Sequence, residues 1–198
     1  MPARVNILVL GPQGSGKGTQ AKRIKATYGI PHIATGDMIR EMKELPTPAG
    51  RELKEVYDRG DLVSDELMIR LIRERLSRGD TLGGFVLDGF PRTMAQAEAL
   101  AELLRELGRE LDVVFEFQLD DREELIRRML RRAEEEGRAD DTPEAIQRRL
   151  ELYERETAPL VEYYRTTRGN VVGIHAGRTI DEVFREIEQS LTSVEARA

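Results

Sequence analysis

The sequence predicts an α/β protein in which an open parallel sheet carries helices on both faces. Short apolar runs alternate with longer stretches of helical periodicity, as in sheets whose parallel strands are joined by helices. The first apolar run leads directly into a glycine-rich loop and then into a helix. The chain has 198 residues, of which 39% are hydrophobic, and this is enough for one such core.

The first half of the chain begins with the run Val5–Leu10, whose nearly continuous apolar character is typical of a strand covered on both faces. Residues 17–28 then have apolar or small side chains at helical spacing, and residues 31–33 form a short extended piece. Three helical stretches follow with no strand between them. They lie near residues 37–45, 49–59 and 64–78, with Pro46 and Pro48 separating the first two.

The second half of the chain returns to alternation. The expected elements are a strand at 84–88, a helix near 93–107, a strand at 112–118, arginine-rich helices near 121–135 and 143–167, a strand at 170–175, and a helix from 179 to about 191. Thr179 and Glu182 have the spacing of a capping box at the start of the last helix.

Two segments depart from this alternation of strands and helices. They are the helices within residues 35–78, which have no strand between them, and a charged segment near 132–142. Inserts on an α/β core commonly carry substrate contacts or form lids. Because residues 35–65 and 132–142 are polar, we expect them to make few apolar contacts with the core and to open easily.

Composition excludes several classes of function. A formal net charge of −6 argues against a protein that coats nucleic acid, and the absence of cysteine excludes disulfides and thiolate metal sites. The two histidines, His32 and His175, are too few for a histidine metal centre, and we expect each to be structural. No apolar stretch approaches the roughly 20 residues of a membrane span. The first apolar run is too short for a signal peptide, so we expect a cytoplasmic protein.

The glycine-rich loop, Gly11-Pro12-Gln13-Gly14-Ser15-Gly16-Lys17-Gly18-Thr19, is typical of a phosphate-binding loop (P-loop). Its glycines let backbone N–H groups converge on phosphate oxygens, the following helix contributes its N-terminus, and Lys17 reaches the outer phosphates. Gly18 stands where the usual motif has Ser or Thr, so we assign that hydroxyl role to Thr19. The predicted ATP contacts in this loop are Gly14, Ser15, Gly16, Lys17, Gly18 and Thr19.

A second motif runs from Phe85 to Gln96. Its strand ends in Asp88, at the edge of a parallel sheet where ligands bind, and a carboxylate there suits the ordering of waters around Mg²⁺. Arg92 follows in a position to bridge two phosphate groups. Taken alone, the segment fits a strand end followed by a Gly-Pro turn equally well.

These two segments resemble the adenylate kinase family, whose signature is three apolar residues, then Asp-Gly-Phe-Pro-Arg, three free positions and Gln or Asn. The resemblance extends from Val5 to about Gln189 and includes Thr35–Arg40 and Arg138–Asp141. It implies one domain, residues 1–198, with a parallel five-stranded core of P-loop NTPase type. The implied parts are a core at 1–34, 66–131 and 143–198, an AMP-binding insert at 35–65 and a short lid at 132–142.

The resemblance also implies roles for individual residues. The implied AMP contacts are Thr35, Gly36, Arg40, Asp61, Leu62, Val63, Gly89, Arg92, Gln96, Arg138 and Arg149. The implied ATP contacts beyond the loop are Arg128, Arg132, Gly177 and Arg178, and the implied catalytic residues are Lys17, Arg92, Arg132, Arg138 and Arg149. Asp88 would hold Mg²⁺ through water, and Phe90–Pro91 would be a cis peptide. The lid resembles the family's short form, which lacks the long insert that carries zinc, so we expect no structural zinc.

Helical periodicity tests some of these arginines independently. Arg149 falls within an apolar stripe, and a core-facing arginine requires anionic partners because an unpaired buried charge is very costly. Arg128 and Arg132 lie beside the apolar face of the preceding predicted helix, so periodicity alone favours solvent exposure of both side chains. For Arg40, periodicity does not distinguish a cleft from bulk water, so only the resemblance supports its assignment.

The function implied is the reversible reaction of Mg-ATP with AMP to give two ADP, with no obvious general base. The expected partners are therefore ATP, AMP and ADP, without nucleic acid or membrane, and we expect a monomer. A UMP/CMP kinase of the same fold is the close alternative, although Thr35 and Gln96 favour adenine in the family's pattern. A regulatory P-loop switch protein is a further alternative, but the sequence has no Asn-Lys-x-Asp motif for reading guanine.

Overall fold

The computed structural model of the chain describes residues 4–195. Within them, five parallel strands form one sheet in the order β2-β3-β1-β4-β5, which confirms the predicted fold class. The strands are β1 (Val5–Leu10), β2 (His32–Ala34), β3 (Gly84–Asp88), β4 (Val113–Gln118) and β5 (Val171–His175). The central place of β1 explains its apolar sequence, because both of its edges are paired and every one of its side chains is buried.

The helices are α1 (Lys17–Tyr28), α2 (Thr35–Lys43), α3 (Pro48–Asp58), α4 (Asp65–Leu76), α5 (Met94–Glu106), α6 (Arg122–Glu136), α7 (Pro143–Leu152), α8 (Pro159–Thr167) and α9 (Ile180–Glu195). Several begin at a Ser, Thr or Asp whose side chain accepts a hydrogen bond from the first turn. The capping box is confirmed, since the Glu182 N–H donates to Thr179 Oγ1 at 3.3 Å and the Thr179 N–H donates to the Glu182 carboxylate at 3.0 Å.

Apolar clusters lie on both faces of the sheet, as expected of a doubly covered parallel sheet. In β1, Leu8 points into the cluster beneath α4, α5 and α8, whereas Ile7 points into the cluster beneath α1 and α9. Among residues 4–195, none of the helices combines the length and apolar character that a membrane span requires.

The expectation of one helix over 143–167 is wrong. Helix α7 ends at Leu152, and a π-helical turn, Tyr153–Thr157, separates it from α8. The turn is closed by the Ala158 N–H, which donates to the Tyr153 carbonyl at 2.8 Å. Pro159 accounts for the break, because proline has no N–H and its ring would collide with a carbonyl one turn earlier in a regular helix.

The expectation of few apolar contacts with the core is wrong for residues 35–65. Side chains from this insert belong to the same buried cluster as Leu8 of the central strand. They are Ile39, Leu53, Tyr57 and Val63. By contrast, no side chain of residues 132–142 belongs to an apolar cluster within the part of the chain that the structure describes.

Candidate active site

A cavity of about 490 Å³ opens at the carboxyl ends of β1 and β3. The glycine-rich loop that follows β1 forms one wall, and residues 88–92, which follow β3, form another. Helices α6 and α7 contribute further side chains. Ligands bind at this edge in open parallel sheets, because connections on either side of a switch in strand order leave a crevice there.

The glycine-rich loop has the backbone that phosphate binding requires. Gly14 and Gly16 have φ angles of 85° and 89°, in the left-handed region that favours glycine. A Cβ atom at Gly14 would lie only 2.7 Å from the Leu125 carbonyl oxygen, so the loop also packs closely on the start of α6. The loop residues predicted to contact ATP all line the cavity.

Lys17 begins α1 and folds over the loop. Its Nζ donates to the carbonyl oxygens of Gly11 at 2.6 Å and Pro12 at 2.7 Å. Burial lowers the pKa of Lys17 to about 8; Asp88 opposes this shift, and the cations Arg92 and Arg132 add to it. An anionic ligand beside Nζ would therefore favour the charged form of this lysine.

Asp88, at the end of β3, has a partner that sequence reasoning missed. His32 Nε2 lies 3.3 Å from Asp88 Oδ2, and both side chains line the cavity. Burial by itself would raise the pKa of Asp88, but the hydrogen bond with His32 and the positive charges of Lys17 and Arg92 lower it. The only sequence feature that pointed to His32 was its position in a predicted extended segment. This segment forms β2, which pairs with β3 and ends at the same edge of the sheet as Asp88.

The donor set suits a hydrated Mg²⁺ that comes with a nucleotide. The pKa of Asp88 is lowered, which favours its carboxylate form, and Mg²⁺ typically keeps several waters and binds one or two carboxylates together with substrate phosphates. A Cβ at Gly18 would lie 3.4 Å from Asp88 Oδ2, so glycine leaves room beside the carboxylate. Within residues 4–195, no group of three or more Asp, Glu or His side chains could hold a metal without such a ligand.

Arg92 is a cation that lacks a carboxylate partner among the described residues. Its Nε donates to the Gly89 carbonyl oxygen at 2.8 Å, and its guanidinium lines the cavity. Burial lowers the pKa of Arg92, and the positive charges of Arg149 and Arg40 act in the same direction. The electrostatics of this position favour an anion in the cavity.

Arg149 and Arg132 are held by two buried carboxylates. Arg149 is only 7% exposed and pairs with Asp140 at 2.8 Å and with Asp141, whose side chain also accepts from Arg132 at 2.6 Å. The argument that a core-facing Arg149 requires anionic partners is thus confirmed. Asp140 and Asp141 lie in a segment that resembles the family, but the sequence alone predicts no role for either carboxylate.

Polar contacts join the 35–65 insert to the far side of the cavity. Lys43 of α2 is buried and its Nζ lies 3.8 Å from Asp140, while Arg148 of α7 pairs with Asp61 at 2.8 Å. Arg149 also donates to the Tyr57 carbonyl oxygen at 3.2 Å. These contacts are ionic or hydrogen-bonded, in contrast to the apolar packing that anchors the insert to the core.

The remaining predicted arginines also line the cavity. Arg128 pairs with Glu124 at 2.6 Å, and Arg138 pairs with Glu136 at 2.5 Å. The predicted residues outside the loop that line the cavity are Gly36, Arg40, Asp88, Gly89, Arg92, Arg128, Arg132, Arg138, Arg149 and Arg178. The predicted residues that the structure does not bring to its wall are Thr35, Asp61, Leu62, Val63, Gln96 and Gly177.

Thr35 and Gln96 are buried behind this wall. The Thr35 hydroxyl donates to the Asp88 carbonyl oxygen at 3.2 Å. The Gln96 amide donates to Asp65 at 2.7 Å and accepts from the Arg92 N–H at 2.8 Å. Both side chains therefore brace the loop that carries Arg92. The Phe90–Pro91 peptide in that loop is cis, as predicted.

Comparison with known proteins agrees with this geometry. A model of the family described as "Adenylate kinase" matches residues 9–169. The chain is 46% identical over 188 residues to an adenylate kinase from Xanthomonas campestris pv. campestris (strain B100), covering 94% of this chain and 99% of that protein. It is 45% identical over 187 residues to an adenylate kinase from Maricaulis maris (strain MCS10), covering 94% and 98%. Since the family model spans most of the chain and these relatives match it nearly end to end, this chain belongs to the adenylate kinase family.

Proposed function

We propose that this protein transfers the terminal phosphoryl group of Mg-ATP reversibly to AMP, giving two ADP. The observation that carries the proposal is a half-buried Arg92 without a carboxylate partner among the described residues, facing the same cavity as the glycine-rich loop and Lys17. A site for one nucleotide needs a single phosphate cradle. A second cluster of cations opposite the cradle suits a second anionic nucleotide.

Phosphoryl transfer requires in-line positioning and neutralisation of developing charge rather than covalent help from the protein. In the proposed roles, the loop N–H groups and Lys17 hold the ATP phosphates, while Arg40 and Arg92 hold the AMP phosphate. Arg132, Arg138 and Arg149 converge on the phosphoryl group in transit, where fixed positive charge stabilises the transition state most. The AMP phosphate is already an anion, so no general base is needed.

Two further ATP contacts are proposed at the rim of the cavity. Arg128 and Arg178 line it beside the end of β5, and residues 177–179 would lie against the adenine through their backbone. Asp88 would hold Mg²⁺ through water. When bound, the ion neutralises charge on the phosphates of ATP.

The proposed division of the chain is supported by the polar contacts that the 35–65 insert makes across the cavity. Residues 35–65 would be the AMP-binding insert and residues 132–142 a short lid, both attached to the core formed by 1–34, 66–131 and 143–198. Closure of the two inserts over bound nucleotides would exclude the water that otherwise hydrolyses ATP. We also propose that the protein acts as a monomer in the cytoplasm.

Adenine specificity is part of this proposal and rests on Thr35 and Gln96. Both side chains have protein partners in the structure, so each would exchange or share a partner to contact the base. A coupled assay with AMP, CMP, UMP and GMP as acceptors tests it. We expect AMP to be the best by at least about tenfold, because a lost base-edge hydrogen bond costs about 1–3 kcal/mol. Equal turnover with CMP or UMP would instead favour a pyrimidine nucleotide kinase, and omission of the acceptor measures ATP hydrolysis as the control.

A further inference from the structure

The π-helical turn between α7 and α8 lies at the cavity. Arg149 of α7, Tyr153 at the start of the turn and Thr157 at its end all line the cavity wall. In an uninterrupted α-helix, at about 100° per residue, position 157 lies about 80° around the axis from position 149. The wider π turn rotates less per residue and so returns Thr157 towards the face that carries Arg149.

Thr157 uses this orientation to reach the loop after β3. The residue is only 8% exposed, and its hydroxyl donates to the Arg92 carbonyl oxygen at 2.9 Å across 65 residues of sequence. The Arg92 N–H is held by Gln96, and the Arg92 Nε is held by the Gly89 carbonyl. The hydrogen bond from the Thr157 hydroxyl therefore links the backbone of Arg92 to the α7–α8 segment.

This link joins two elements whose arginines repel each other. Arg92 and Arg149 face the same cavity, and the positive charge of Arg149 disfavours that of Arg92. A neutral hydrogen bond to the backbone fixes their separation without adding an anion that would compete with the substrate phosphate. Thr157 can therefore hold the spacing of the two guanidiniums constant when the site is filled.

We propose that Thr157 is a positioning residue, which the π turn orients so that its hydroxyl sets the place of Arg92 relative to Arg149. The proposal rests on the proposed function, in which Arg92 holds the phosphate of the acceptor nucleotide and Arg149 acts on the phosphoryl group in transit. It concerns AMP and the group in transit, and not the ATP site formed by the glycine-rich loop.

The test compares Thr157→Val, which removes the hydroxyl and keeps the shape, with Thr157→Ser, which keeps the hydroxyl. We expect Thr157→Val to lower kcat/KM for AMP about tenfold while the KM for ATP stays within about twofold, because a small misplacement of a positioned group is costly. Thr157→Ser should restore kcat/KM for AMP to within about threefold of the original. The matched control is Thr166→Val on α8, whose exposed hydroxyl donates to the Glu162 and Tyr163 carbonyls within its own helix.

A double-mutant cycle with Arg92→Lys separates positioning from general stability. If Thr157 acts through Arg92, adding Thr157→Val to Arg92→Lys should change kcat/KM for AMP by less than about twofold. Unchanged AMP kinetics in Thr157→Val, equal loss towards ATP and AMP, or a fully additive double variant would each overturn the proposal. Should the Val variant fail to fold by circular dichroism, Thr157→Ala carries the same comparison. Calorimetry measures the affinity of each variant for AMP without turnover. If the parent protein were inactive, the proposed reaction would be refuted, but the effect of Thr157 on AMP affinity would still be tested.

Discussion

At the scale of single residues, Lys17 shows how burial alters a functional group. Burial lowers the pKa of Lys17 from 10.5 to about 8 in the folded protein, whereas an unfolded chain keeps the proton up to its ordinary value. The unfolded state therefore binds more protons between these two pH values, and Lys17 makes the fold more stable as the pH rises from 8 to 10.5. Its positive charge at neutral pH costs stability, which is consistent with a role in binding.

The pH dependence of activity follows from the same group. Lys17 is charged below its pKa of about 8 and neutral above it, so kcat/KM for ATP, which reports the free enzyme, should fall as the pH rises through about 8. The corresponding fall in kcat should occur at higher pH, because bound phosphates favour the charged lysine. A Lys17→Arg variant is permanently charged, so its kcat/KM for ATP should not fall above pH 8. A kcat/KM for ATP that stays constant up to about pH 9.5 in the parent enzyme would contradict the assignment.

Removal of the Lys17 charge tests its catalytic role. If Lys17 stabilises charge on the outer phosphates mainly in the transition state, Lys17→Ala should lower kcat by roughly two orders of magnitude or more. Lys25→Ala, at an exposed position of the same helix, is the control and should leave kcat unchanged. A folded Lys17→Ala variant with kcat within about threefold of the parent would refute the role.

At the scale of elements, the connection between α6 and α7 depends on one buried carboxylate. The Asp141 side chain has no exposed surface and pairs with both Arg132 of α6 and Arg149 of α7. Removing one partner of a buried ion pair leaves uncompensated charge. The two helices are therefore joined at the cavity by charge rather than by apolar packing alone.

Asp141→Ala should lower the free energy of unfolding by about 3–5 kcal/mol, measured by urea denaturation, because it leaves Arg132 without a carboxylate partner among the described residues and removes one of the two carboxylates that pair with Arg149. Asp181→Ala is the matched control, since Asp181 pairs with Arg23 at 2.6 Å but its side chain is 79% exposed. A surface pair of that kind contributes at most about 1 kcal/mol. Equal losses for the two variants would show that the buried carboxylate does not hold the helices together.

At the scale of the whole molecule, the structure separates two kinds of contact. Apolar packing ties the 35–65 insert to the core, whereas ionic contacts such as Lys43–Asp140 and Arg148–Asp61 tie it to the other side of the cavity. The partly exposed Arg148–Asp61 pair can exchange with solvent and ligand at small cost, whereas separating the buried Lys43–Asp140 contact costs more. We therefore expect the cleft to open at these polar contacts while apolar packing keeps the insert anchored at its base.

We expect a bisubstrate analogue that joins two adenosines through phosphates to bind far more tightly than ATP or AMP alone. Bound phosphates offset the repulsion among the clustered arginines and so favour closure. Hydrogen exchange should show protection of residues 35–65 and 132–142, with the strands β1 and β3 unchanged. Unchanged exchange in both inserts on binding, or full protection of both before binding, would rule out closure as the main motion.

The sequence by itself determined the elements whose signals are local. An unbroken apolar run predicts β1, glycine spacing predicts the phosphate loop, and the i, i+3, i+4 pattern places Arg149 on a buried face. The end of a predicted strand at Asp88, with Arg92 just after it, indicated a further ligand site, and resemblance to a family added the other arginines. Each of these sequence patterns lies within a short segment. There the geometry of a helix or strand determines from residue spacing which way each side chain points.

Only the tertiary structure decided which distant side chains meet. His32 lies 56 residues from Asp88, and Thr157 lies 65 residues from Arg92, so no spacing rule relates them. Their contacts depend on which strands are neighbours and on the rotation introduced by the π turn before Pro159. Local sequence determines which way a side chain points along its own element, but the packing of elements determines what it meets there.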